Sequence, residues 1–493
     1  MPRTSSGLTT QNRSEHIKTG VEIESLPKTY QDTLAVCKEL DIHYIWIDSL
    51  CIVQDDDRDW RGQASRMADI YILAYVTIAA VEAEDASQRL FNSSPESRIG
   101  SHLPDYPWAH VRQQLDPPGR YASESNWLKQ MKGGEALYKR GWTFQELNLS
   151  RRVLHFGAQE VTWSCREVTV SESEPKGTLA LPEHIAVNMS RYDSSLQTLW
   201  YRIVGGYSWR NLTFEKDKFP AIAAFASQVQ TMNSGKRYVA GLWEDTLLFD
   251  LLWYCSRHGP DFESPYPIEP GIIPSWSWAS AKRPVYWLTP ERGSWQYVQC
   301  TEIIQITYNT RGPPLLGDIV EASLVLRAPI IKLYKDHCQE LKNYWKGVEG
   351  VSDRVTALVA NFWDDHDLDK AEQARDQVGS HHNTLLPPIL AIPLTAPKFG
   401  EGHTQGYNAL IVAMESPGVY RRAGVGRLGL LEEFLDVSRK IQIEILDEGK
   451  RSSDQRDHEF APLDEKKNQR RKKWKGRFMD EMSRLERQIF KLV

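Results

Sequence analysis

An apolar run that changes abruptly to polar residues is the strongest constraint on how the first part of this chain folds. Residues 42–47 have the pattern of a buried strand, and Asp48 and Ser49 follow it directly. Strands buried on both faces are near-continuous apolar runs, and their carboxyl ends open onto the crevice where α/β proteins bind ligands. The run therefore predicts a parallel sheet with Asp48 and Ser49 at its ligand-binding edge.

A helix and a second strand follow this run at the spacing of a βαβ unit. Apolar residues recur at helical spacing over 60–74, and Asp59 is the expected N-cap. Residues 76–81 form a second short apolar run. The order strand, helix, strand is typical of a parallel βαβ unit. A further helix is predicted from Pro27 to Leu40, because the fixed φ of proline suits a first helical turn.

Trp142 and Glu146 lie four residues apart, so they share one face if this segment is helical. A carboxyl group beside an indole would sit in a partly apolar pocket, where desolvation raises its pKa and suits it to acid–base or cation-stabilising chemistry. The alternative is a glutamate paired with Arg140 or Arg151 at a helix end. Spacing alone favours this alternative.

Composition and turn signals divide the chain into four segments. Residues 82–134 predict an irregular insertion, and residues 152–156 and 160–165 predict two strands before a linker over 168–190. The expected domains are an α/β domain over 1–170, a linker and helical region over 171–260, a β-rich region over 261–460, and a basic amphipathic tail helix over 461–493.

Smaller patterns refine the second half of the chain. Aromatic and aliphatic residues predict a helical stripe near 200–207 and another over 242–254, whereas residues 274–278 alternate like a strand with two tryptophans on one face. Strands are also predicted at three later sites, residues 319–327, 389–392 and 409–414.

Bulk properties limit the function classes. The net charge of −5 gives no general reason to expect nucleic acid. The six cysteines contain no CxxC pair, which argues against a zinc site and against a disulfide scaffold. The N-terminus lacks the apolar core of a secretory signal, and no run reaches the length of a membrane span. A cytoplasmic setting and no metal or cofactor are therefore expected.

Three motifs have simpler explanations than the ligand sites they resemble. Residues 424–429 match the dinucleotide pattern G-x-G-x-x-G, but a hairpin with glycine turns explains the spacing better. Residues 365–376 lack the glycine and glutamate of a calcium loop, which favours a solvated acidic loop. The aspartates at 55–59 suit a charged helix start better than a metal site.

The tail predicts a different kind of interaction. Residues 466–477 carry eight lysines and arginines and no acid, and apolar residues from Trp474 to Ile489 recur at helical spacing. A basic amphipathic helix of this kind binds anionic lipid, nucleic acid or an acidic partner. A solvated helix docked on the body of the protein is an equally good interpretation.

Taken as a set, the motifs of the first 165 residues closely resemble those of fungal heterokaryon incompatibility (HET) domain proteins. The matching segments are residues 26–32, 44–54, 59–60, 67–71, 77–80 and 140–156. Residues 212–221, 240–243 and 274–278 are similar to the region that commonly follows such a domain. Family members usually open with a strand of the form Leu-Ser-Tyr-Cys-Trp-Gly, so the resemblance implies that the family's first strand is missing before Leu8.

The resemblance implies a role in nonself recognition, in which activation of the domain triggers programmed cell death after unlike hyphae fuse. HET domains have been related to TIR domains, which have a flavodoxin-like α/β fold and some of which cleave NAD. The TIR catalytic helix carries a Trp with a Glu four residues later. By that analogy Glu146 would be catalytic, Asp48, Ser49 and Trp142 would line the substrate pocket, and NAD would be a substrate rather than a cofactor.

Two hypotheses about function therefore stay open. In the first, the protein is an incompatibility effector that hydrolyses NAD through Glu146. In the second, it is a non-enzymatic interaction module of a recognition or signalling complex, with a protein partner or a second copy of itself. Anionic lipid or an acidic partner at residues 466–477 is a weaker third hypothesis, and no specific nucleic acid is expected.

Overall fold

The computed structural model describes fourteen segments of the chain, which form two compact units. The units are Met1–Ser234 with Ser264–Ile268, and Gly235–Glu263 with Glu269–Val493. The described residues are 7–90, 101–103, 106–111, 136–157, 160–172, 174–179, 195–255, 273–287, 296–316, 318–329, 331–333, 389–398, 406–429 and 487–493.

The first unit combines helices with a small mixed sheet. Its helices are α1 (Arg13–Thr19), α2 (Lys28–Glu39), α3 (Asp48–Cys51), α4 (Asp57–Leu73), α5 (Gly141–Leu149), α6 (Leu196–Tyr207) and α7 (Ala223–Met232). Helix α2 begins directly after Pro27, as predicted. Nowhere in the described chain is there a helix with the length and apolar character needed to cross a membrane.

The sheet of the first unit has five strands, of which one pair is parallel. Its strands are β1 (Thr77–Ala80), β4 (Arg152–Phe156), β5 (Val161–Cys165), β6 (Val168–Ser171) and β7 (Glu174–Leu179), in that order across the sheet. The short strands β2 (Ser101–Leu103) and β3 (Tyr106–Val111) pair separately. The residues predicted as an insertion and as a linker therefore include strands.

Helix α5 connects the two parallel strands β1 and β4, so the predicted βαβ arrangement occurs one element later than expected. Ala79, Val81, Leu147 and Val153 form a buried core beneath this helix. The other neighbouring pairs, from β4 to β7, are antiparallel. The described part of the unit is therefore mixed α/β, and the expected parallel pairing is observed there for β1 and β4.

Residues 42–47 are the main departure from the prediction, because they form no strand ladder. They run in extended form up to α3, and the Tyr44 side chain is 92% exposed. An apolar run fixes the burial preference of a segment but not its pairing partner, and here β1 pairs with β4. Asp48 and Ser49 thus follow an extended segment rather than a sheet strand.

The acidic cluster forms the start of α4, but the N-cap is Asp56 rather than Asp59. The Asp56 carboxylate accepts hydrogen bonds from the backbone N–H groups of Arg58 and Asp59 at 2.9 and 3.3 Å. Asp59 instead accepts a hydrogen bond from the backbone N–H of Val53 at 2.8 Å. The cluster therefore caps a helix and ties it to the preceding loop.

The helical stripe near residue 200 is confirmed, whereas the one over 242–254 is wrong. Trp200, Tyr201, Val204 and Tyr207 are all buried in α6. The second stripe instead comprises β9 (Leu242–Trp243) of a hairpin with β8 (Tyr238–Val239), the helical turn α8 (Leu247–Asp250) and β10 (Trp253–Cys255). The hairpin turn places two consecutive residues at positive φ, Ala240 at 46° and Gly241 at 92°, which interrupts any helix there.

Tryptophans fill the core of the second unit. Trp243, Trp253, Trp276 and Trp278 are each at most 3% exposed. Residues 274–278 form a turn that leads into a 3₁₀ helix rather than a strand, yet both tryptophans are buried there. Strand β10 pairs with β11 (Val285–Trp287).

The β-rich prediction holds for the rest of the described second unit. An eight-stranded sheet is built from β12 (Gln296–Gln299), β13 (Glu302–Arg311), β14 (Asp318–Pro329), β15 (Ile331–Leu333), β16 (Ile389–Lys398), β17 (Gly406–Ser416), β18 (Val419–Gly429) and β19 (Arg487–Leu492). The order is β12-β16-β17-β18-β19-β14-β13, and β15 also pairs with β16.

The glycine motif at 424–429 lies inside β18, which pairs antiparallel with β17. The two strands meet at Pro417 and Gly418, where Gly418 takes a φ of 78°. A phosphate-binding fingerprint needs these glycines between a strand and a helix, so the hairpin interpretation is confirmed.

The end of the predicted tail helix is also a strand. Residues 487–492 form β19, because Phe490 and Leu492 alternate into the core while Ile489 points outward. The basic stretch at 466–477 and the acidic loop at 365–376 lie outside the described residues, so their predictions are untested.

Candidate functional site

Helix α5 is held at its start by a close backbone approach. Gly141 donates its N–H to the carbonyl of Asn211 at 2.7 Å, and Asn211 donates to the carbonyl of Lys139 at 2.6 Å. A Cβ on Gly141 would lie 2.4 Å from a methyl carbon of Leu212. Glycine suits this close approach, because a Cβ would force the Leu212 side chain or the start of the helix to shift.

Packing on the other faces of α5 fixes its rotation. The Phe144 ring meets the rings of Tyr207 and Phe225 at 5.7 and 5.4 Å. Gln145 is 2% exposed, and its side-chain oxygen accepts the N–H of Ala224 at 3.2 Å. These contacts occupy the faces of α5 on either side of Glu146. Glu146 therefore faces the helices formed by residues 28–73.

Glu146 is partly buried, and its carboxyl group accepts a hydrogen bond from the phenol of Tyr71 in α4. The pKa of Glu146 is raised to about 7, with loss of hydration as the largest cause and the nearby charge of Asp48 as the second. The Arg140 charge, the Tyr71 hydrogen bond and the Arg210 charge act in the opposite direction. Glu146 therefore changes its protonation state near neutral pH.

Asp48 lies at the start of α3, and its charge acts on the carboxyl group of Glu146. It is partly buried, and its carboxylate accepts the backbone N–H of Ser49 at 2.7 Å. The Ser49 hydroxyl lies 2.9 Å from the phenol of Tyr30 in α2. The charge of Asp48 also raises the pKa of Tyr30, after the larger effect of burial. The predicted Asp48 and Ser49 thus lie in the same cluster as Glu146.

The two arginines of the cluster play different structural roles. Arg210 donates to the Thr143 hydroxyl at 2.8 Å and lies over the Phe144 ring at 5.2 Å, so its side chain packs against α5. Arg140 is exposed, and its charge lowers the pKa values of Glu146, Tyr71 and Tyr30. Arg140 therefore supplies positive charge at the open side of the cluster.

The indole of Trp142 packs against neighbouring elements and holds α5 in place. Its N–H donates to Asp217 at 3.3 Å, and its ring meets the edge of Trp60 at 6.2 Å. Burial raises the pKa of Asp217, and the bond from Trp142 opposes this effect. Trp142 and Glu146 share a helix face as predicted, but Trp142 is fixed between α4 and the 3₁₀ turn Glu215–Asp217.

Sequence analysis did not identify Tyr71, Tyr30 or Arg140 as parts of this cluster. Tyr71 was counted as one residue of the apolar stripe of α4, where its ring does pack against Trp46 at 5.8 Å. The sequence feature that could have identified Tyr71 as a site residue is its phenolic hydroxyl, because a buried tyrosine hydroxyl needs a hydrogen-bond partner. Arg140 was considered only as an ion-pair partner for Glu146, and the structure has no ion pair within 4.0 Å between these described residues.

The cluster does not have the composition of a metal site. Among the described residues, no group of three histidine, cysteine, aspartate or glutamate side chains is placed to hold a metal ion. What the arrangement offers is two carboxyl groups, of which that of Glu146 has a raised pKa, two phenols and one exposed guanidinium. Such a set can stabilise a developing positive charge and move a proton near neutral pH.

The first unit is thus a mixed α/β domain with an enclosed carboxyl group at the centre of a polar cluster. Residues 2–146 match the family model of the Heterokaryon incompatibility protein (HET), a span that includes Asp48, Tyr71, Arg140 and Glu146. The chain therefore carries a heterokaryon incompatibility domain over residues 2–146. No curated protein and no solved structure matched it, so the TIR-like fold stays a prediction.

Proposed function

We propose that this protein is a nonself-recognition protein of fungi whose HET domain cleaves the N-glycosidic bond of NAD and so triggers programmed cell death. The family match supports the recognition role. The observation that carries the enzymatic part is the carboxyl group of Glu146, which is enclosed, bonded to Tyr71 and shifted to a pKa of about 7. The TIR-like relationship is part of this proposal.

The proposed reaction converts NAD and water to nicotinamide, ADP-ribose and a proton. As the bond between the ribose carbon and the nicotinamide nitrogen breaks, its electron pair leaves with nicotinamide and positive charge develops on the ribose. The ionised carboxylate of Glu146 would stabilise that charge, as a glycosidase carboxylate does. Water then adds to the ribose carbon, and its proton passes to Glu146 before release.

The cluster has the charges that such a substrate requires. Asp48 and Glu146 provide negative potential for the oxocarbenium-like ribose, whereas the exposed Arg140 provides positive charge for the diphosphate. The hydroxyl of Ser49, fixed by Tyr30, would hydrogen-bond a ribose hydroxyl. Trp142 would act indirectly, by holding α5 between Trp60 and Asp217.

The test is a direct assay of the purified chain with NAD, in which nicotinamide and ADP-ribose are separated and measured. Glu146→Gln keeps the shape and the acceptor for Tyr71 but cannot carry the negative charge, and we expect it to abolish product formation. Glu39→Gln at the exposed end of α2 is the matched control and should retain the wild-type rate. Equal rates in all three proteins would refute the enzymatic proposal.

A second candidate function is a non-enzymatic interaction module that assembles with a protein partner or with a second copy of itself. Exposed apolar side chains in the first unit favour it, namely Tyr44 at 92%, Leu73 at 72% and Tyr75 at 68%. If the chain kills cells without any fall in NAD, and Glu146→Gln kills equally well, this second function replaces the first. Lipid or acidic-partner binding through 466–477 stays a weaker proposal.

A further inference from the structure

Strand β19 occupies an interior place in the eight-stranded sheet although it comes from a distant part of the sequence. It pairs antiparallel with β14 from Leu324↔Leu492 to Pro329↔Arg487. On its other side it pairs parallel with β18 at Val419↔Lys491 and Tyr420↔Leu492. Residues 430–486 separate it from β18 in the chain.

The side chains of this strand alternate between core and solvent. Phe490 is 3% exposed and Leu492 is 0% exposed, whereas Ile489, which precedes Phe490, is 58% exposed. Phe490 meets the ring of Tyr420 edge-on at 5.5 Å. Its partner on β14 is Leu326, which is also fully buried. Two apolar side chains spaced two residues apart therefore enter the core of the second unit.

Main-chain hydrogen bonds also join the end of β19 and Val493 to residues 418–420 and to Ser275. Lys491 donates its N–H to the carbonyl of Gly418 at 2.9 Å, and Val493 donates to the carbonyl of Tyr420 at 3.0 Å. The carbonyl of Val493 accepts both the N–H and the hydroxyl of Ser275. These are the contacts by which an extended peptide adds to a sheet edge and is read by its alternate side chains.

We propose that the groove between β14 and β18 is a peptide-binding site whose resident ligand is this chain's own segment 487–493. The groove selects an extended peptide with a large apolar residue at the position of Phe490 and an aliphatic one at the position of Leu492. It tolerates any residue at the position of Ile489, which faces solvent. An external segment with this pattern is accepted once the resident segment leaves.

The covalent connection sets how readily an external peptide enters. A covalent connection raises the effective concentration of the resident segment above that of a free peptide at micromolar concentration. A competing peptide therefore binds the intact chain poorly at micromolar concentration. Cutting the chain between 430 and 486 removes this advantage without changing any residue of β14, β18 or β19.

The experiment uses the full chain with a specific protease site inserted between 430 and 486, so that the sheet assembles before it is cut. A fluorescently labelled peptide of residues 487–493 is then added, and its anisotropy reports binding. We expect binding to the cut chain at micromolar peptide, and at least about tenfold weaker binding to the uncut chain. The Ile489→Ala peptide should bind as well as the native peptide.

Peptides with Phe490→Ala or Leu492→Ala should bind at least about thirtyfold more weakly, because each loses a buried apolar side chain. The proposal is overturned if no peptide enters the cut chain at any concentration. It is equally overturned if Ile489→Ala weakens binding as much as Phe490→Ala, because the register of β19 would then not decide recognition. The proposal is also overturned if cutting abolishes the circular dichroism signal of the sheet and added peptide does not restore that signal.

Discussion

The phenol of Tyr71 in α4 donates a hydrogen bond to the carboxyl group of Glu146 in α5, and this bond joins the two helices that form the candidate site. Burial raises the pKa of both groups, and the Tyr71 pKa is raised further by the charge of Glu146. The phenol therefore stays a donor across the physiological range. Tyr71 favours the ionised form of Glu146, which is the form that would stabilise a cation.

Tyr71→Phe removes this donor while keeping the ring that packs on Trp46. Because the hydrogen bond lowers the pKa of Glu146, we expect that pKa to rise in the variant. Carbon-13 NMR of the labelled Glu146 carboxyl group measures the change directly. Tyr44→Phe, at a side chain that is 92% exposed, is the control and should leave the titration unchanged. An unaltered midpoint in Tyr71→Phe would show that the bond does not set the protonation state.

Asp48→Asn and Arg140→Gln should shift the same titration in opposite directions. The negative charge of Asp48 raises the pKa of Glu146 and the positive charge of Arg140 lowers it. Removing the first charge should therefore lower the midpoint, and removing the second should raise it. The shifts should shrink at high salt to the extent that solvent reaches the cluster. Shifts of the same sign would contradict the arrangement of charges.

Glu146 should make folding stability depend on pH. Its pKa is about 7 in the folded protein against 4.5 for the unperturbed group, so the folded state binds more protons than the unfolded state between these values. The free energy of unfolding contributed by Glu146 therefore falls as pH rises from about 4.5 to about 7, and then levels off. The full shift corresponds to roughly 3 kcal/mol.

Glu146→Gln abolishes this titration, so its stability relative to wild type should improve as pH rises from 5 to 8. Urea unfolding of both proteins at several pH values measures the difference. Glu39→Gln should show no such trend because Glu39 is exposed. If the difference between Glu146→Gln and wild type is constant across this range, the carboxyl group is not strongly perturbed.

Gly141→Ala should destabilise the first unit, because the new Cβ would lie 2.4 Å from a Leu212 methyl carbon and 3.2 Å from the carbonyl oxygen of Asn211. Overpacking of this kind costs about 1–3 kcal/mol. Gly62→Ala is the control, since a Cβ there in α4 meets nothing within 4 Å. It should instead stabilise by about 0.5–1 kcal/mol, as alanine does in a helix interior. Thermal unfolding that ranks the two variants in the opposite order would contradict the packing at α5.

Local patterns predicted α2 from Pro27 and α4 from its apolar periodicity, although the N-cap of α4 is Asp56 and not Asp59. Helix α3, which carries Asp48 and Ser49, was not predicted. The four-residue spacing of Trp142 and Glu146 did place them on one helical face. It could not tell that the indole is bonded to Asp217, because that partner lies 75 residues further along the chain. The role of Tyr71 in the site was not predicted for a related reason. Apolar periodicity reflects the ring of a tyrosine and gives no information about its hydroxyl.

Strand pairing was the least predictable part of the fold. Residues 42–47 have the composition of a buried strand, but composition does not specify a pairing partner, and the edge strand β1 has β4 as its described partner. At the other end of the chain, the helical spacing of apolar residues up to Ile489 predicts a tail helix. The alternation of Phe490 and Leu492 into the core becomes visible only when β14, more than 150 residues earlier, is placed beside them.

The most direct test of the central claim is the initial rate of nicotinamide release from NAD, measured as a function of pH for wild type and Glu146→Gln. The proposed role of the Glu146 carboxylate predicts a wild-type rate that rises through about pH 7, where this group ionises. It also predicts a rate at least about 100-fold lower in Glu146→Gln at every pH. A wild-type chain that releases no nicotinamide, or a variant that releases it as fast, would contradict the claim.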